Sequence, residues 1–468
     1  MEERRPTPRR RRRTKAQIIK ETYLPVVITG VSLILILVFI IGSIVRGSQR
    51  KKIYLEESIA ASVSEQAMKD QTDKEVSLLM EQAQRLAAGY DYEAAIQVLD
   101  NYTGDLTDYP QIDQARMEYD TAKNELVAWE DPAKIVNLSF QMLIVDPQRA
   151  FNDGEYGEAF ETRFITVSEF SAMLEQLYDR NYVLVGMKDI LSEGVAEDGS
   201  TIPVTTPIML PAGKKPLMLT QLHVNYNRYM IDGNDDGIAD KDGSGFASRL
   251  MLDSDGNYTC EYVDANGETK YGAYDMVPIL EAFIKEHPDF SYKGSRAILA
   301  LTAYDGLFGY RTYPGADEFY GTAAFEKDTQ DAKRLVESLR KTGYQIGCYT
   351  YENIPYGSTS VSEIQEDLRR WTSETADILG PVDIFVYAKD SDIATSAEVY
   401  SGSRYEALKE AGFRVYLGFS LDGKPWSRLE NEYFRQGRIM VTGDSLSNHS
   451  NWFTGMFDST TVIDPARG

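Results

Sequence analysis

Residues 136–468 alternate short apolar β-like runs with amphipathic helical stretches such as VSEFSAMLEQLYDR and VSEIQEDLRRWTSETADIL. The predicted strands are Asn137–Val145, Tyr182–Gly186, Pro216–His223, Arg296–Tyr304, Tyr344–Tyr351, Asp383–Tyr387, Phe413–Phe419 and Arg438–Thr442. This alternation is typical of a mostly parallel sheet covered by helices. Eight strands favour a distorted (β/α) barrel over an open, doubly wound sheet, so the predicted fold class is α/β.

An insertion at about 232–272 interrupts the alternation after the third strand. Within it, residues 249–272 hold three short β-prone runs, separated by Asp255-Gly256 and Asn266-Gly267. Both dipeptides are hairpin-turn signals, because Gly and Asn tolerate a positive φ angle. We therefore expect an inserted β-meander.

The amino-terminal part contains a candidate membrane span. Residues 24–45 are 22 positions without a charged side chain, and a helix of that length covers roughly 33 Å, against a hydrocarbon core of about 30 Å. A cleaved signal peptide is the alternative, but its apolar region is usually shorter. Nine basic residues precede the run and four follow it closely. This asymmetry predicts a signal-anchor with a cytoplasmic tail at residues 1–23 and an extracytoplasmic carboxyl-terminal domain.

Residues 53–131 are rich in Ala, Glu, Gln and Leu and contain neither Gly nor Pro before Gly89, which predicts helices. Within them, LLMEQAQRLAAGYDYEAAIQVLDNY resembles a tetratricopeptide-type hairpin, with Ala83, Ala87 and Ala94 at close-packing positions. A single hairpin cannot bury its own apolar face. We interpret the segment as a stalk or spacer, and a peptide-binding groove is the alternative.

The distribution of charge limits the classes of partner. Residues 1–52 hold 13 of the 49 basic and 3 of the 72 acidic side chains, so the remainder, with 36 basic and 69 acidic residues, carries a formal net charge of −33. Such a surface repels nucleic acid and anionic polymers and suits hard cations. Cys260 and Cys348 are the only cysteines, which excludes a disulfide scaffold and leaves open whether these two pair.

Four segments of residues 136–468 are similar to a known family: LMLTQLHVNY, DMVPILEAFIKEHPDFSYKGSRAILALT, LRKTGYQIGCYTYEN and YEALKEAGFRVY. Together they resemble the polysaccharide deacetylases, carbohydrate esterases of the nodulation-protein type. The resemblance implies a distorted (β/α) barrel that removes acetyl groups from chitin-like or peptidoglycan chains with a divalent metal. Cell-envelope glycan is accordingly the expected partner.

The catalytic motifs of that family fall on unusual residues in this chain. Its Thr-Phe-Asp-Asp motif aligns with TQLH, which the resemblance translates into Leu222 as the base and His223 as a metal ligand. The two histidines of its second motif fall on Tyr349 and Asn353, and its Pro-aromatic-Gly turn falls on YAKD at 387–390. Leucine cannot accept a proton, and one imidazole with a phenol and an amide is a poor donor set for zinc. We therefore expect no catalytic zinc or other divalent metal at these degenerate positions.

Side chains at the ends of the predicted strands form the expected binding site, because the carboxyl ends of barrel strands meet at one mouth. Those assigned to substrate binding are His223, Asp305, Tyr349, Lys389 and Asp390. An acid pair such as Asp305 with Glu352 suggests glycoside hydrolysis as another chemistry. Acids at loop starts also serve as simple caps.

The loop DGNDDGIADKDG, residues 232–243, has the alternating oxygens of a calcium loop. The predicted ligands are Asp232, Asn234, Asp236, the carbonyl group of Ile238, and Asp240. The loop resembles those of dockerins or thrombospondin repeats, because Gly243 stands where a full EF-hand has a bidentate Glu. An acidic solvated turn is the alternative.

These observations lead to two classes of function. The first is a membrane-anchored pseudoenzyme that binds or organises cell-envelope glycan on a deacetylase-like scaffold. The second is an active metal-dependent glycan deacetylase or hydrolase with a rearranged site. The missing base and missing metal ligands favour the first.

Overall fold

A computed structural model describes residues 56–467, except for positions 198, 200 and 235. The chain divides into two units, Met1–Lys74 and Glu75–Gly468. The predicted basic tail and membrane span lie outside the described residues, so they stay predictions. None of the helices within the described ranges combines the length and the apolarity of a membrane span.

The second unit is built around a parallel β-barrel. Its strands are β1 (Val136–Phe140), β2 (Tyr182–Leu184), β3 (Lys215–Leu222), β4 (Ile298–Leu301), β5 (Gln345–Cys348), β6 (Ile384–Val386), β7 (Val415–Phe419) and β8 (Phe434–Met440). Seven of them close a ring in the order β1-β3-β4-β5-β6-β7-β8. The short β2 pairs with residues 215–217 of β3 and lies outside the ring. The parallel barrel predicted from the alternation is confirmed, with seven of the eight predicted strands in the ring.

Side chains along each strand alternate between the barrel interior and the covering helices, as the pleat of a strand requires. On β3, Met218 and Leu222 are buried in the interior together with residues such as Ile298 of β4. Leu217 and Leu219, on the opposite face, are buried under the helices. This alternation fixes which residues of β3 can reach the mouth of the barrel.

Helices follow most of the strands. They are Pro147–Phe151, Gly157–Arg163, Val167–Asp179, Met187–Ile190, Arg228–Ile231, Met276–Glu286, Ala316–Tyr320, Thr322–Thr342, Val361–Leu379, Ser403–Glu410, Gly443–Asn448 and Ser459–Val462. Capping boxes begin several of them, including those formed by Thr166 with Glu169, Ser360 with Glu363 and Thr442 with Ser445. Each satisfies backbone N–H groups that the first helical turn leaves free.

Three antiparallel strands, Arg249–Leu252, Tyr258–Val263 and Thr269–Gly272, occupy the predicted insertion. Gly256 and Gly267 in the two connecting turns have positive φ angles of 84° and 78°. Cys260 lies on the central strand of this meander and is buried, and Cys260 and Cys348 are both free.

Other short strands were not predicted, because three to five residues offer too little alternation to recognise. They are the pair Leu191–Val195 with Thr201–Thr205, the pair Val127–Trp129 with Ile208–Leu210, and Ser427–Leu429, which runs antiparallel to β8.

The region predicted as a stalk consists of the helices Glu56–Ala88, Tyr92–Asp100 and Pro110–Asn124. Ala83 and Ala95 are fully buried within their apolar cluster. The turn after Ala88 contacts the barrel, since the carbonyl oxygen of Gly89 accepts a hydrogen bond from the backbone N–H of Lys293 (2.8 Å). Lys293 precedes β4, so this contact lies at the amino-terminal end of the barrel.

Candidate functional site

A cavity of about 700 Å³ opens at the carboxyl ends of the barrel strands. Much of its wall is formed by residues at or just after the ends of five strands, β1, β5, β6, β7 and β8. These residues are Gln141, Tyr349, Lys389, Asp390, Phe419, Ser420 and Met440. The rest of the wall is Thr162, Arg163, Asn353, Leu421, Thr442, Asp444, Ser445 and Trp452. Side chains from distant parts of the sequence meet here because the strands all run in one direction.

Several non-glycine residues around this mouth have a left-handed backbone. The φ angles are 61° at His223, 61° at Thr350, 55° at Asn353, 52° at Lys389 and 50° at Asp390. Asn, Asp and His tolerate this conformation, but Thr350 and Lys389 adopt it only where the surrounding structure imposes it, and such residues gather at functional sites. The loops after β3, β5 and β6 are therefore held in defined shapes.

Leu222 and His223 lie at the end of β3, but neither belongs to the cavity wall. Leu222 is fully buried in the barrel interior. His223 is 7% exposed, and its Nε2 accepts a hydrogen bond from Nδ2 of Asn227 (3.1 Å). Burial, together with the nearby charge of Lys389, lowers the pKa of His223 to about 4. The imidazole is therefore uncharged at neutral pH.

Tyr349 and Asn353 stand where the resemblance places two histidines, and both line the cavity. The ring centroid of Tyr349 lies 6.1 Å from that of His223. Burial raises the pKa of the Tyr349 hydroxyl, while the charge of Arg438 opposes this effect. Oδ1 of Asn353 is buried without a hydrogen-bond partner among the described residues. Both side chains are therefore neutral hydrogen-bonding groups.

These residues do not fit a zinc ion. Catalytic zinc takes three His, Cys, Asp or Glu ligands, whereas this set offers one buried imidazole, one neutral phenol and one amide. The imidazole nitrogen Nε2 already accepts a hydrogen bond from Asn227. Across the described ranges, His, Cys, Asp and Glu side chains do not form groups of three suited to a metal ion. We therefore assign no chemical step to a metal at this mouth.

Arg438 lies beneath the cavity wall and is fully buried on β8. Its Nη1 donates a hydrogen bond to Oγ of Ser139 (2.9 Å), and its Nη2 donates to the carbonyl oxygen of Tyr387 (2.9 Å). The guanidinium carbon is 4.7 Å from the ring centroid of Phe419, and Nε has no partner in the described protein. Burial lowers the pKa of Arg438 to about 10. A positive charge without a carboxylate partner therefore lies below the cavity.

The charged residues of the cavity wall are Arg163, Lys389, Asp390 and Asp444. Oδ1 of Asp444 accepts a hydrogen bond from Nδ2 of Asn448 (2.7 Å). Two cations and two carboxylates thus share this space, a composition that suits a polar ligand with many hydroxyl groups.

Asp305 and Glu352, predicted as an acid pair at the mouth, are bound by arginines outside the cavity wall. Oδ1 of Asp305 lies 2.9 Å from Nε of Arg228, and its Oδ2 lies 3.4 Å from Nη1 of Arg311. Glu352 pairs with Arg370. Each carboxylate therefore has a structural partner, and Asp305 does not reach the space where a substrate would lie.

The predicted calcium loop begins directly after the helix Arg228–Ile231. Its oxygens form turns with its own backbone: Oδ1 of Asp232 binds N of Asn234 (3.0 Å), and Oδ1 of Asp236 binds N of Ile238 (2.9 Å). Oδ2 of Asp240 is buried without a partner among the described residues. Residue 235, in the middle of the loop, lies outside the described residues. Calcium binding stays a prediction.

Several wall residues were missed by the sequence analysis. Phe419 ends a predicted strand, so the strand-end argument that selected Tyr349 could have found it. Gln141 lies in the middle of the predicted strand Asn137–Val145 and reaches the mouth because the observed β1 already ends at Phe140. Arg163 ends a helix and Trp452 lies in the turn Ser450–Phe453. Neither position is near a strand end, so only the folded chain brings these two side chains to the mouth.

No family model and no curated protein matches this sequence. Among solved structures, the chain is similar to the deacetylase PplD of Streptococcus pyogenes in complex with acetate. The similarity covers 70% of this chain and 99% of that chain, with 12% sequence identity and a TM-score of 0.34. The assignment of the barrel rests on the strand order described above.

Proposed function

We propose that this chain is a membrane-anchored, extracytoplasmic glycan-binding protein with a deacetylase-like barrel that does not catalyse deacetylation. The observation that supports it best is the chemistry of the cavity at the barrel mouth. Aromatic side chains, Tyr349, Phe419 and Trp452, share its wall with Gln141 and Asn353. Aromatic faces pack on the apolar faces of sugar rings, and amide oxygens accept hydrogen bonds from their hydroxyl groups.

The unpaired atoms of the cavity support a polar ligand. Oε1 of Gln141 and Oδ1 of Asn353 are buried and have no hydrogen-bond partner in the described protein. A buried acceptor without a partner costs about 1–3 kcal/mol. Both side chains line the cavity, so rotation of either amide group toward a sugar hydroxyl would supply the missing donor and remove that cost.

The residues at the end of β3 do not provide a general base for deacetylation. Leu222 cannot take a proton from water, and His223 has a pKa of about 4. A base with so low a pKa removes protons poorly at neutral pH. His223 is also buried beside Asn227 instead of facing the cavity.

Calorimetric titration of the full chain in detergent with N-acetylglucosamine oligomers and peptidoglycan fragments tests this proposal. We expect binding without acetate release. Trp452→Ala should weaken binding by about tenfold, on the order of 1.4 kcal/mol, because a stacking face is removed. Trp129→Ala is the matched control, since Trp129 lies in a different small sheet. Equal loss in both variants, or no binding by the unmodified chain, would reject the proposal.

A second candidate is an active glycan hydrolase or deacetylase with a rearranged site. It is favoured by one observation, that Asp390 and Asp444 line the same cavity. Two carboxylates on either side of a glycosidic bond are the usual catalytic groups of glycoside hydrolases. Release of reducing ends or of acetate by the unmodified chain, abolished by Asp444→Asn, would establish this alternative in place of the first.

A further inference from the structure

A second cavity of about 590 Å³ adjoins the one at the barrel mouth. The two share three wall residues, Asp390, Phe419 and Leu421. The second cavity extends toward the loop after β6, at Thr395 and Ser396, which the sequence analysis did not identify. The two cavities therefore meet at these three residues.

An apolar ridge lies where the two cavities meet. Leu421 is 83% exposed there and lines both cavities, so a ligand that spans them would cover it. Trp452 lies in the first cavity and Trp426 in the second. Nε1 of Trp426 donates a hydrogen bond to the carbonyl oxygen of Phe419 (2.9 Å), which fixes its ring beside the ridge.

The second cavity is the more acidic of the two. Asp392 is neutralised by Arg435 at 3.0 Å and Asp422 by Lys424 at 3.1 Å. Glu398 accepts hydrogen bonds from Thr395, which leaves its charge in place. Asp390 adds a further carboxylate at the junction. A uronic acid would meet like charges here, whereas a hydroxyl or an ammonium group would meet acceptors.

We propose that the two cavities are consecutive subsites of one groove for a linear glycan, and that the second subsite takes neutral or amino sugars. This inference rests on the proposed function and names its ligand more closely. The tryptophan of each cavity forms an aromatic part of the wall against which a sugar unit lies, and Leu421, at the junction, contacts the linkage between the units. The carboxylates of Glu398 and Asp390 accept hydrogen bonds from hydroxyl or ammonium groups of the sugar in the second subsite.

Chain length is the first test, with N-acetylglucosamine dimer and hexamer titrated into the full chain in detergent. We expect the hexamer to bind at least about tenfold more tightly, since it reaches both subsites. Ser396→Trp, which fills the second cavity, should lower hexamer affinity to that of the dimer and leave the dimer affinity unchanged. Two controls should bind like the unmodified chain. Ser396→Ala changes the same position without filling the cavity, and Ser401→Trp adds the same ring outside both cavities.

Equal affinity for dimer and hexamer, or a Ser396→Trp variant that binds the hexamer normally, would overturn the two-subsite groove while leaving glycan binding intact. If neither oligomer binds, the proposed function itself fails.

Sugar charge is the second test. A glucosamine hexamer should bind more tightly than a uronic acid hexamer in low salt, and Glu398→Gln should reduce this preference about threefold or more. Tighter binding of the uronic acid hexamer would contradict the assignment of the second subsite.

Discussion

Arg435 and Arg438 are both fully buried on strand β8, but only Arg435 has a carboxylate partner, Asp392, at 3.0 Å. Arg435 is also 4.0 Å from the ring centroid of Tyr400. Arg438 is bound by neutral oxygens instead. Two buried arginines three positions apart thus differ in whether a carboxylate binds the guanidinium directly.

This difference predicts unequal effects on stability. Arg435→Gln should lower the free energy of unfolding by about 3–5 kcal/mol, because it leaves Asp392 buried without its cation. Arg438→Gln should cost no more than about 2 kcal/mol, since it loses hydrogen bonds but also removes a buried charge that no carboxylate binds directly. Urea unfolding of the two variants compares them, and a larger loss for Arg438→Gln would show that this charge is better stabilised than its contacts indicate.

His223 should make the protein sensitive to mild acid. Its pKa falls from 6.5 to about 4 on folding, so below 6.5 the unfolded chain binds a proton that the folded chain does not. The resulting loss of stability begins near pH 6.5, grows as the pH falls, and reaches about 3 kcal/mol near pH 4.

Urea midpoints measured between neutral pH and pH 4 test this contribution. His223→Gln should reduce the loss of stability over this interval. His449→Gln is the control, because the side chain of His449 is 44% exposed. Identical pH profiles for the unmodified chain and His223→Gln would mean that the imidazole is protonated in the folded state.

We propose that the loop at residues 232–243 binds calcium. A cation that binds only the folded state raises the melting temperature, and millimolar calcium should do so here. Asp236→Asn should reduce the rise, whereas Asp253→Asn, at a turn of the meander, should leave it unchanged. A melting temperature that does not respond to calcium would identify the loop as an acidic turn.

The membrane topology is also proposed, on the excess of basic residues before position 24. Protease added to intact cells should digest the part of the chain after Lys52. A tag at the amino terminus should remain protected, because it lies in the cytoplasm. Digestion of the tag with survival of the carboxyl-terminal part would reverse the orientation.

The barrel could be predicted from the sequence because most of its strands are apolar and bounded by turns. β8 was the exception, since it was expected at 438–442 and is found at Phe434–Met440. It contains Arg435, Gln436 and Arg438, all buried. Charged residues in a sequence usually mark a surface segment, so only the folded structure reveals that these side chains are buried.

The candidate site was less predictable. Tyr349, Lys389 and Asp390 follow strands and do line the cavity. Asp305 follows a strand as well, but its carboxylate is paired with Arg228, which is 77 positions away in the sequence. Sequence spacing locates the carboxyl end of a strand, whereas the ion pairs that withdraw a side chain from the mouth depend on tertiary contacts.

The left-handed residues around the barrel mouth have a consequence for the thermodynamics of binding. Lys389 and Asp390 are held with φ angles near 50° by the folded chain itself. Ordering a flexible loop when a ligand arrives opposes binding, because the loop loses conformational entropy at that moment. Here that entropy is lost when the protein folds, so a ligand meets a rim whose shape is already set. Association should then show little unfavourable entropy from loop ordering, and its rate should not be limited by a slow rearrangement of the mouth.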